Sequence, residues 1–506
     1  MPFLLLSLIC WSGAALGFGT FFSFFIDWSP ERKPLSSLGL TLLLGISILG
    51  FMALFLNFFV PLSYGINTSV LLLGWLTLVA NRKRLQLCCG KKQFVLWSLV
   101  TLATALVATA SHYNIDTGFY HLPSVVLSRI YPALPGIGNV AGPFGHVSTW
   151  FLLESLLSLP GLGLSAPFSA NSLFGIAFII FLFEAEPHAS RWGRAFILLC
   201  FFSLNHVILG LGGLTPDFPS YVLGSVIWFW FLNSLESSLL ETKKLSLGLL
   251  LTIFAFTIKT SNLLILIPWV GWLYFGVQKT TLLTLRFSKT LVFFGVSFLF
   301  CWTLRSLLTS GCLLYPKSET CFSQLPWAMP EQVVQGWLAD VKYHLCGVRE
   351  LGSIFSEKAC VEEWLRRILK EPLLKFVTAF SGIAFICCIF YGYTKKRRPP
   401  QNLSLSVIYR AGLIVLVCFA VWLFMSPNLR FAPWLFVASG GLFFGVLIHW
   451  MDVPFKTRNT LFYFSLLWGL LFSIRSALIT RSTDWSWSRW PQHNIVTGKQ
   501  IGRAHV

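Results

Sequence analysis

The sequence predicts an all-α protein that crosses a membrane many times. Hydrophobic residues make up 55% of its 506 residues and charged residues only 11%, whereas an ordinary soluble domain carries about 25% charge. Apolar runs of about 18–24 residues recur along the chain, and each is long enough to cross a bilayer. Lipid offers no hydrogen-bond partner to the backbone, so these runs are expected to form helices.

The charged residues are distributed in the manner of a membrane protein. Lysine and arginine number 38 against 19 acids, which gives a net charge of +19. In a soluble chain this excess would suggest nucleic acid. Here the bases occupy short segments between apolar runs, as cytoplasmic loops do. We therefore expect membrane lipids as partners and no nucleic acid.

The apolar runs predict about fourteen spans. They are expected at 3–26, 36–60, 67–80, 94–111, 169–184, 195–211, 220–239, 245–258, 261–277, 290–308, 373–392, 405–425, 431–450 and 459–476. No basic residue precedes the first run, so we expect a retained span rather than a cleaved signal. The last residues, Ile501 to Val506, match one reading frame of a common sequencing adapter, and we expect this end not to be native.

Clusters of basic residues set the expected orientation. One cluster follows the first span at 32–33 and another follows the third at 82–92. If both are cytoplasmic, the fourth span leads outward and Asp116 emerges on the outer face. The segment 146–160 is either a short span or an interfacial helix. A span would move every later basic cluster outside, so we prefer the interfacial helix, with Glu154 on its solvated face.

These expectations divide the chain into five parts. The N-terminal part is a scaffold of three spans, and the second is a transmembrane core that contains a large outer loop with interfacial helices. A small extracytoplasmic segment, a bundle of four spans and a tail follow. Their boundaries are 1–92, 93–308 with the outer loop at 112–168, 309–372, 373–480 and 481–506.

The outer loop after the fourth span contains the first candidate functional residues. Asp116 is the first acid beyond a span end, and it is a candidate general base. The alternative is that it only caps the helix expected to begin near Thr117. His121 is either a substrate contact or an interfacial aromatic residue. Arg129 and His146 are further candidates for substrate binding.

Candidates also occur at the outer ends of later spans. Asp217 lies in a loop bracketed by prolines, where it either takes part in catalysis and positions substrate or caps the next helix. Lys259, Arg305 and Arg430 could bind a lipid phosphate, which arginine can grip with two hydrogen bonds. The alternative is that these cations extend to the membrane surface without binding a ligand.

Four cysteines fall in the extracytoplasmic segment, where disulfides can form. They are Cys312, Cys321, Cys346 and Cys360. Three pairings are possible, and proximity in sequence favours Cys312 with Cys321 and Cys346 with Cys360. A zinc site is the alternative, but the spacing lacks a close CxxC pair. We therefore predict disulfides and no metal site.

Several stretches together resemble a known group of proteins. They read NIDTGFYHLPSVV, PGIGNVAGPFG, TPDFPSYVLG, IKTSN, SGCLLYPKSETCFSQLPW and SPNLRFAPW. Over roughly residues 95–450 the chain resembles bacterial multi-span proteins with a DTGLYH-type outer loop followed by a GLGN-type turn. Their layout is similar to that of GT-C glycosyltransferases, which include the O-mannosyltransferases and the lipid A aminoarabinose transferases.

The resemblance implies an enzyme of the bacterial inner membrane that is active at its extracytoplasmic face. Such an enzyme transfers a sugar from a polyprenyl-phosphate donor, and a carboxylate in the first large outer loop is central to the reaction. Many GT-C enzymes carry two acids close together there, whereas in this loop Asp116 stands alone. No cofactor is implied, and a divalent metal is left open.

Three other functions stay open from the sequence. A flippase or transporter of lipid-linked saccharides would place ionisable residues inside spans, where His206 is the main candidate. A polysaccharide polymerase would be expected to have a basic outer loop, but segment 309–372 has seven bases and eight acids. A structural membrane protein is the third.

Overall fold

The computed structural model describes most of the chain in separate ranges. These are residues 2–26, 37–88, 90–108, 116–158, 169–207, 211–236, 242–277, 289–346, 362, 366, 405–425 and 428–450. Throughout these ranges the secondary structure is helical, apart from one isolated bridge between Cys312 and Cys321. The all-α fold class is thereby confirmed for the described residues.

Sixteen α-helices are used as landmarks below. They are α1 (Pro2–Ile26), α2 (Leu38–Leu56), α3 (Tyr64–Ala80), α4 (Arg82–Cys88), α5 (Lys91–Ala108), α6 (Leu122–Ile130), α7 (Thr149–Leu156), α8 (Ala170–Ala185), α9 (Arg191–Val207), α10 (Asp217–Glu236), α11 (Thr242–Ile258), α12 (Leu266–Val277), α13 (Lys289–Ser310), α14 (Glu331–Cys346), α15 (Leu405–Met425) and α16 (Pro433–Trp450). Short 3₁₀ and π-helical turns connect several of them.

Six segments of the described ranges are long and apolar enough to cross a membrane. They are Pro2–Ser23, Leu38–Leu56, Lys91–Ala108, Ala170–His188, Asp217–Leu235 and Lys289–Ser310. Shorter apolar segments accompany them in α3, α9, α11, α12, α15 and α16. These helices indicate a membrane protein. The predicted spans 373–392 and 459–476 and the tail 481–506 lie outside the described residues.

The N-terminal helices approach each other closely because glycines line their contacts. A Cβ atom at Gly45 of α2 would collide with the backbone carbonyl of Ala15 in α1. A Cβ at Gly17 of α1 would collide with the carbonyl of Gly74 in α3. Helices that pack in lipid often use small residues in this way. These contacts hold α1 between α2 and α3 as a compact support.

The helix α7 lies in the interior, which corrects the expected solvated face. All eight residues of Thr149–Leu156 are buried, and they pack against α2 and α6. Glu154 is only 2% exposed. Its carboxylate accepts hydrogen bonds from the backbone N–H groups of Ser169 and Ala170, both at 3.2 Å. The unpaired N–H groups at the start of α8 need an acceptor, so Glu154 is held inside as a cap rather than exposed.

Candidate functional site

The loop that follows α5 is described from Asp116 onward, where it forms an irregular turn. Thr117–His121 forms a π-helix that continues directly into α6. Such π-helical turns are rare and are frequent at functional sites. Asp116 precedes this turn but makes no hydrogen bond to its backbone N–H groups. The side chain is therefore not a helix cap, and its carboxylate is used elsewhere.

Asp116 is joined to a second acid through an arginine from the far end of the chain. One terminal nitrogen of Arg430 donates to Asp116 Oδ2 at 3.1 Å. Nε of Arg430 donates to Asp217 Oδ2 at 3.0 Å. The Lys259 ammonium forms an ion pair with Asp217 Oδ1. We call these four residues the charge cluster: Asp116, Asp217, Lys259 and Arg430.

Local structure fixes the Asp217 carboxylate at the start of α10. The helix begins at Asp217 itself rather than near residue 220, because Pro219 is tolerated within a first helical turn. Thr215 Oγ1 donates to Asp217 Oδ2 at 2.9 Å and accepts from the Asp217 N–H at 3.3 Å. Both carboxylate oxygens of Asp217 are therefore occupied by protein donors.

The two cations are positioned by short turns. Lys259 lies between α11 and the 3₁₀ helix Thr260–Ile265, and its ammonium is 3.6 Å from the ring centre of Phe431. Arg430 lies in the 3₁₀ helix Leu429–Phe431 that precedes α16. Asn428 accepts from the Arg430 backbone N–H at 3.2 Å and, through its carbonyl, from Trp422 Nε1 at 3.2 Å.

The charge cluster is buried at one side and open at the other. The side chains of Lys259 and Asp217 are 15% and 18% exposed, against 28% for Asp116 and 41% for Arg430. The nearby carboxylate of Asp217, together with that of Asp116, raises the pKa of Arg430. Burial lowers the pKa of Lys259 to about 8, although Asp217 opposes this shift. Two acids and two bases leave the cluster formally neutral.

A fully buried histidine lies beside the charge cluster. The His121 ring contacts the rings of Tyr120 and Phe151, with centroids 4.3 and 5.0 Å away. Neither ring nitrogen has a hydrogen-bond partner among the described residues. Burial lowers the pKa of His121 to about 4, so the imidazole is neutral near pH 7. This burial excludes the alternative of an interfacial aromatic residue.

The other predicted binding residues are not part of the charge cluster. Arg129 lies on α6, where burial lowers its pKa and the charge of Glu154 opposes that shift. Arg305 on α13 and His146 instead line a cavity of about 60 Å³. This cavity lies between α6, α7, α13 and the connecting segment 132–148. The structure thus places Arg305 and His146 in a second region, whereas Arg129 belongs to neither region.

The segment after α13 packs on the connecting segment 132–148. A disulfide joins Cys312 to Cys321, whereas Cys360, the predicted partner of Cys346, lies outside the described residues. Trp337 Nε1 of α14 donates to His146 Nε2 at 2.7 Å. Burial lowers the pKa of His146 to about 4, which matches a neutral imidazole that accepts through Nε2.

Sequence reasoning selected all four members of the charge cluster but did not pair them. Lys259 and Arg430 were expected to be available for a lipid phosphate, and the structure instead pairs both with carboxylates. A usable signal was the presence of two acids together with three cations at predicted outer span ends, because charged residues near lipid are usually paired with one another. Within the described residues, no group of three or more His, Cys, Asp or Glu side chains could hold a metal ion.

Comparison with known proteins gives a family but no activity. No curated protein and no solved structure matches the chain. One family model matches residues 1–437, which include the whole charge cluster and the cavity that contains Arg305. The chain therefore belongs to the family described as Domain of unknown function (DUF8201).

Proposed function

We propose that the chain is a membrane glycosyltransferase with about fourteen spans. It would transfer a sugar from a polyprenyl-phosphate donor to an envelope glycan, lipid or protein at the outer face of the bacterial inner membrane. The observation that carries the proposal is the charge cluster. Four ionisable residues from four separate parts of the chain converge there beside a π-helical turn and a buried histidine. Ionisable groups concentrated in this way are typical of functional sites.

Asp116 is the member best suited to act as the general base. Its Oδ2 accepts one hydrogen bond from Arg430, and its Oδ1 makes none with the described residues. Oδ1 can therefore accept the proton of an acceptor hydroxyl. The hydroxyl oxygen attacks C1 of the sugar, and the C1–O bond to phosphate breaks with its electron pair. Polyprenyl phosphate then leaves as an anion.

Asp217 has a different role in this proposal, because both of its oxygens are held by Lys259, Thr215 and Arg430. It is a positioning residue that orients Arg430, and through Arg430 it orients Asp116. This revises the expectation that both acids act in catalysis. The neutral imidazole of His121 lies near enough to the charge cluster for the charges to influence its pKa.

The substitution Asp116→Asn tests the proposed base. It keeps the size of the side chain but removes the proton acceptor, and we expect transfer to fall about 10²–10⁴-fold. The measurement is incorporation of radiolabelled sugar from polyprenyl-phosphate donors into envelope material, in membranes that contain equal amounts of each variant. Asp340→Asn, on the exposed surface of α14, is the matched control and should retain activity. Full activity of Asp116→Asn would remove Asp116 from the mechanism.

A flippase of lipid-linked saccharides is the second candidate. The observation that favours it is Arg305, a buried cation within a helix long enough to cross a membrane, since such residues often mark transport pathways. The two functions differ in their product. A flippase would move a fluorescent lipid-linked saccharide across proteoliposomes without forming a glycosidic bond, whereas the proposed enzyme would form one.

A further inference from the structure

Arg305 is a buried cation without a partner among the described residues. The residue is 9% exposed, and its side chain makes no hydrogen bond or ion pair with the described residues. One terminal nitrogen is completely shielded from solvent. A buried charge is costly unless it is paired. The position therefore calls for an anion that does not belong to the described part of the chain.

The cavity beside Arg305 has the composition of an anion site with an apolar wall. Its polar wall consists of Ser124, Ser128, Ser148, Thr309 and His146 beside Arg305. None of its lining residues is an acid. Leucine, isoleucine, valine and phenylalanine side chains form much of the remaining wall. A ligand with one anionic group and an apolar part matches this surface.

The lining hydroxyl groups have no free proton to donate to an anion. Ser124, Ser128, Ser148 and Thr309 each donate to a backbone carbonyl, so their protons are already used. His146 accepts through Nε2 from Trp337. Its proton then resides on Nδ1, which remains a donor for a ligand. Arg305 and His146 are the side chains that can donate to an anion here.

The charge cluster is a poorer anion site. Each of its cations already contacts a carboxylate, and a phosphate would have to displace that carboxylate or lie beside it. Like charges at such close range cost several kcal/mol. The unpaired Arg305 imposes no such exchange.

We infer that the cavity lined by Arg305 and His146 binds the phosphate group of an anionic ligand. The guanidinium provides the charge and two parallel hydrogen bonds. Arg305 lies five residues before the end of α13 at Ser310, which places it about 7–8 Å below the helix end. This depth fits a phosphate at the boundary between headgroups and acyl chains. The inference rests on the proposed function only where the ligand is taken to be the donor lipid.

The cavity also adjoins the charge cluster. Phe151 lines the cavity and contacts the ring of His121. Ser148, another lining residue, donates to the carbonyl of Ile258 at 2.7 Å, next to Lys259 in the chain. Phe151 therefore separates a phosphate held by Arg305 from His121 beside the charge cluster.

Thermal unfolding of the purified protein in dodecyl maltoside, a detergent without phosphate, tests the site. Inorganic phosphate, farnesyl phosphate and farnesol are the three probes. We expect both phosphate compounds to raise the unfolding temperature of the wild type and farnesol to leave it unchanged. A half-saturating concentration that is at least about 10-fold lower for farnesyl phosphate identifies a lipid phosphate, and equal values identify free phosphate.

Variants assign the effect to Arg305. Arg305→Gln should weaken phosphate binding about 10–100-fold, because a hydrogen-bonded charge is lost. Arg305→Lys keeps the charge without the planar fork, so its binding should be intermediate. Arg410→Gln is the matched control, since Arg410 lies on α15 against the ring of Phe275. The inference fails if neither phosphate compound stabilises the wild type, or if Arg305→Gln responds as the wild type does.

This outcome can be separated from a failure of the proposed function. Asp116→Asn leaves the cavity unchanged, so phosphate should stabilise it as it does the wild type even if transfer is lost. Phosphate binding by a protein without transferase activity would reject the enzyme and keep the site. Transfer that survives Arg305→Gln without change would reject the donor phosphate as the ligand.

Discussion

The charge cluster and the cavity around Arg305 differ in whether their cations have carboxylate partners. In the cluster, Lys259 and Arg430 have carboxylate partners within 3.1 Å. In the cavity, Arg305 has none among the described residues. Among the described residues, the cations of the cluster are thus paired with acids, whereas the charge of Arg305 is not balanced by an acid. Each region also contains a histidine whose lowered pKa keeps it neutral near pH 7: the buried His121 in the first and the partly buried His146 in the second.

The largest effect is expected from breaking the pair of Asp217 and Lys259. Asp217→Asn leaves a largely buried ammonium without its carboxylate, and this should lower the free energy of unfolding by about 3 kcal/mol. Lys259→Met should cost a similar amount. The double variant should be more stable than either single variant, because no unpaired charge remains. Unfolding in mixed micelles measures this cycle, and additive losses would show that the two side chains do not interact.

Removing the cation of the cavity should raise the free energy of unfolding, whereas breaking the pair in the charge cluster should lower it. Arg305→Met removes an unpaired buried charge and keeps most of the volume, so the ligand-free protein should gain about 1–2 kcal/mol of unfolding free energy. Unfolding in mixed micelles compares the stability of Arg305→Met with that of Asp217→Asn. A loss of stability on Arg305→Met would mean that Arg305 has a partner in the folded protein, and the contrast between the two regions would disappear.

The smallest expected effect is the contribution of His146 to the pH dependence of stability. Its pKa of about 4 in the folded state lies below the value of about 6.5 for a free histidine. The unfolded state therefore binds more protons between these values, and stability falls as the pH is lowered from about 6.5 to about 4. His146→Gln should flatten this part of the curve. The remaining slope includes His121, whose pKa burial also lowers to about 4, and Glu154, whose pKa burial raises to about 8 and which contributes with the opposite sign. An unchanged slope would show that His146 is not buried as a neutral group.

The sequence predicts the helices better than their contacts. Apolar runs placed α2 within the expected 36–60, because length and hydropathy are properties of the run itself. The predicted span begins at residue 220, whereas α10 begins at Asp217. The difference arises because Pro219 is tolerated within a first helical turn. The burial of Glu154 could not be predicted, because its partners are backbone N–H groups at the start of another helix.

The site shows the same division between local and distant information. The sequence alone was enough to select the four members of the charge cluster, because each lies at the end of an apolar run. Their pairing could not be predicted, since Arg430 and Asp116 are 314 positions apart. The missing partner of Arg305 is a property of the packed interior, and only the folded structure reveals it.

That separation has a consequence for biosynthesis. Arg430 leaves the ribosome 314 residues after Asp116, which is about 16–63 s later at about 5–20 residues per second. During this interval α6 to α15 are synthesised, while Asp116 and Asp217 still lack the guanidinium that links them. The charge cluster is therefore completed only after α15 has been synthesised. A nascent chain that stops before Arg430 can contain both acids and most of the apolar helices, but its two carboxylates stay unlinked.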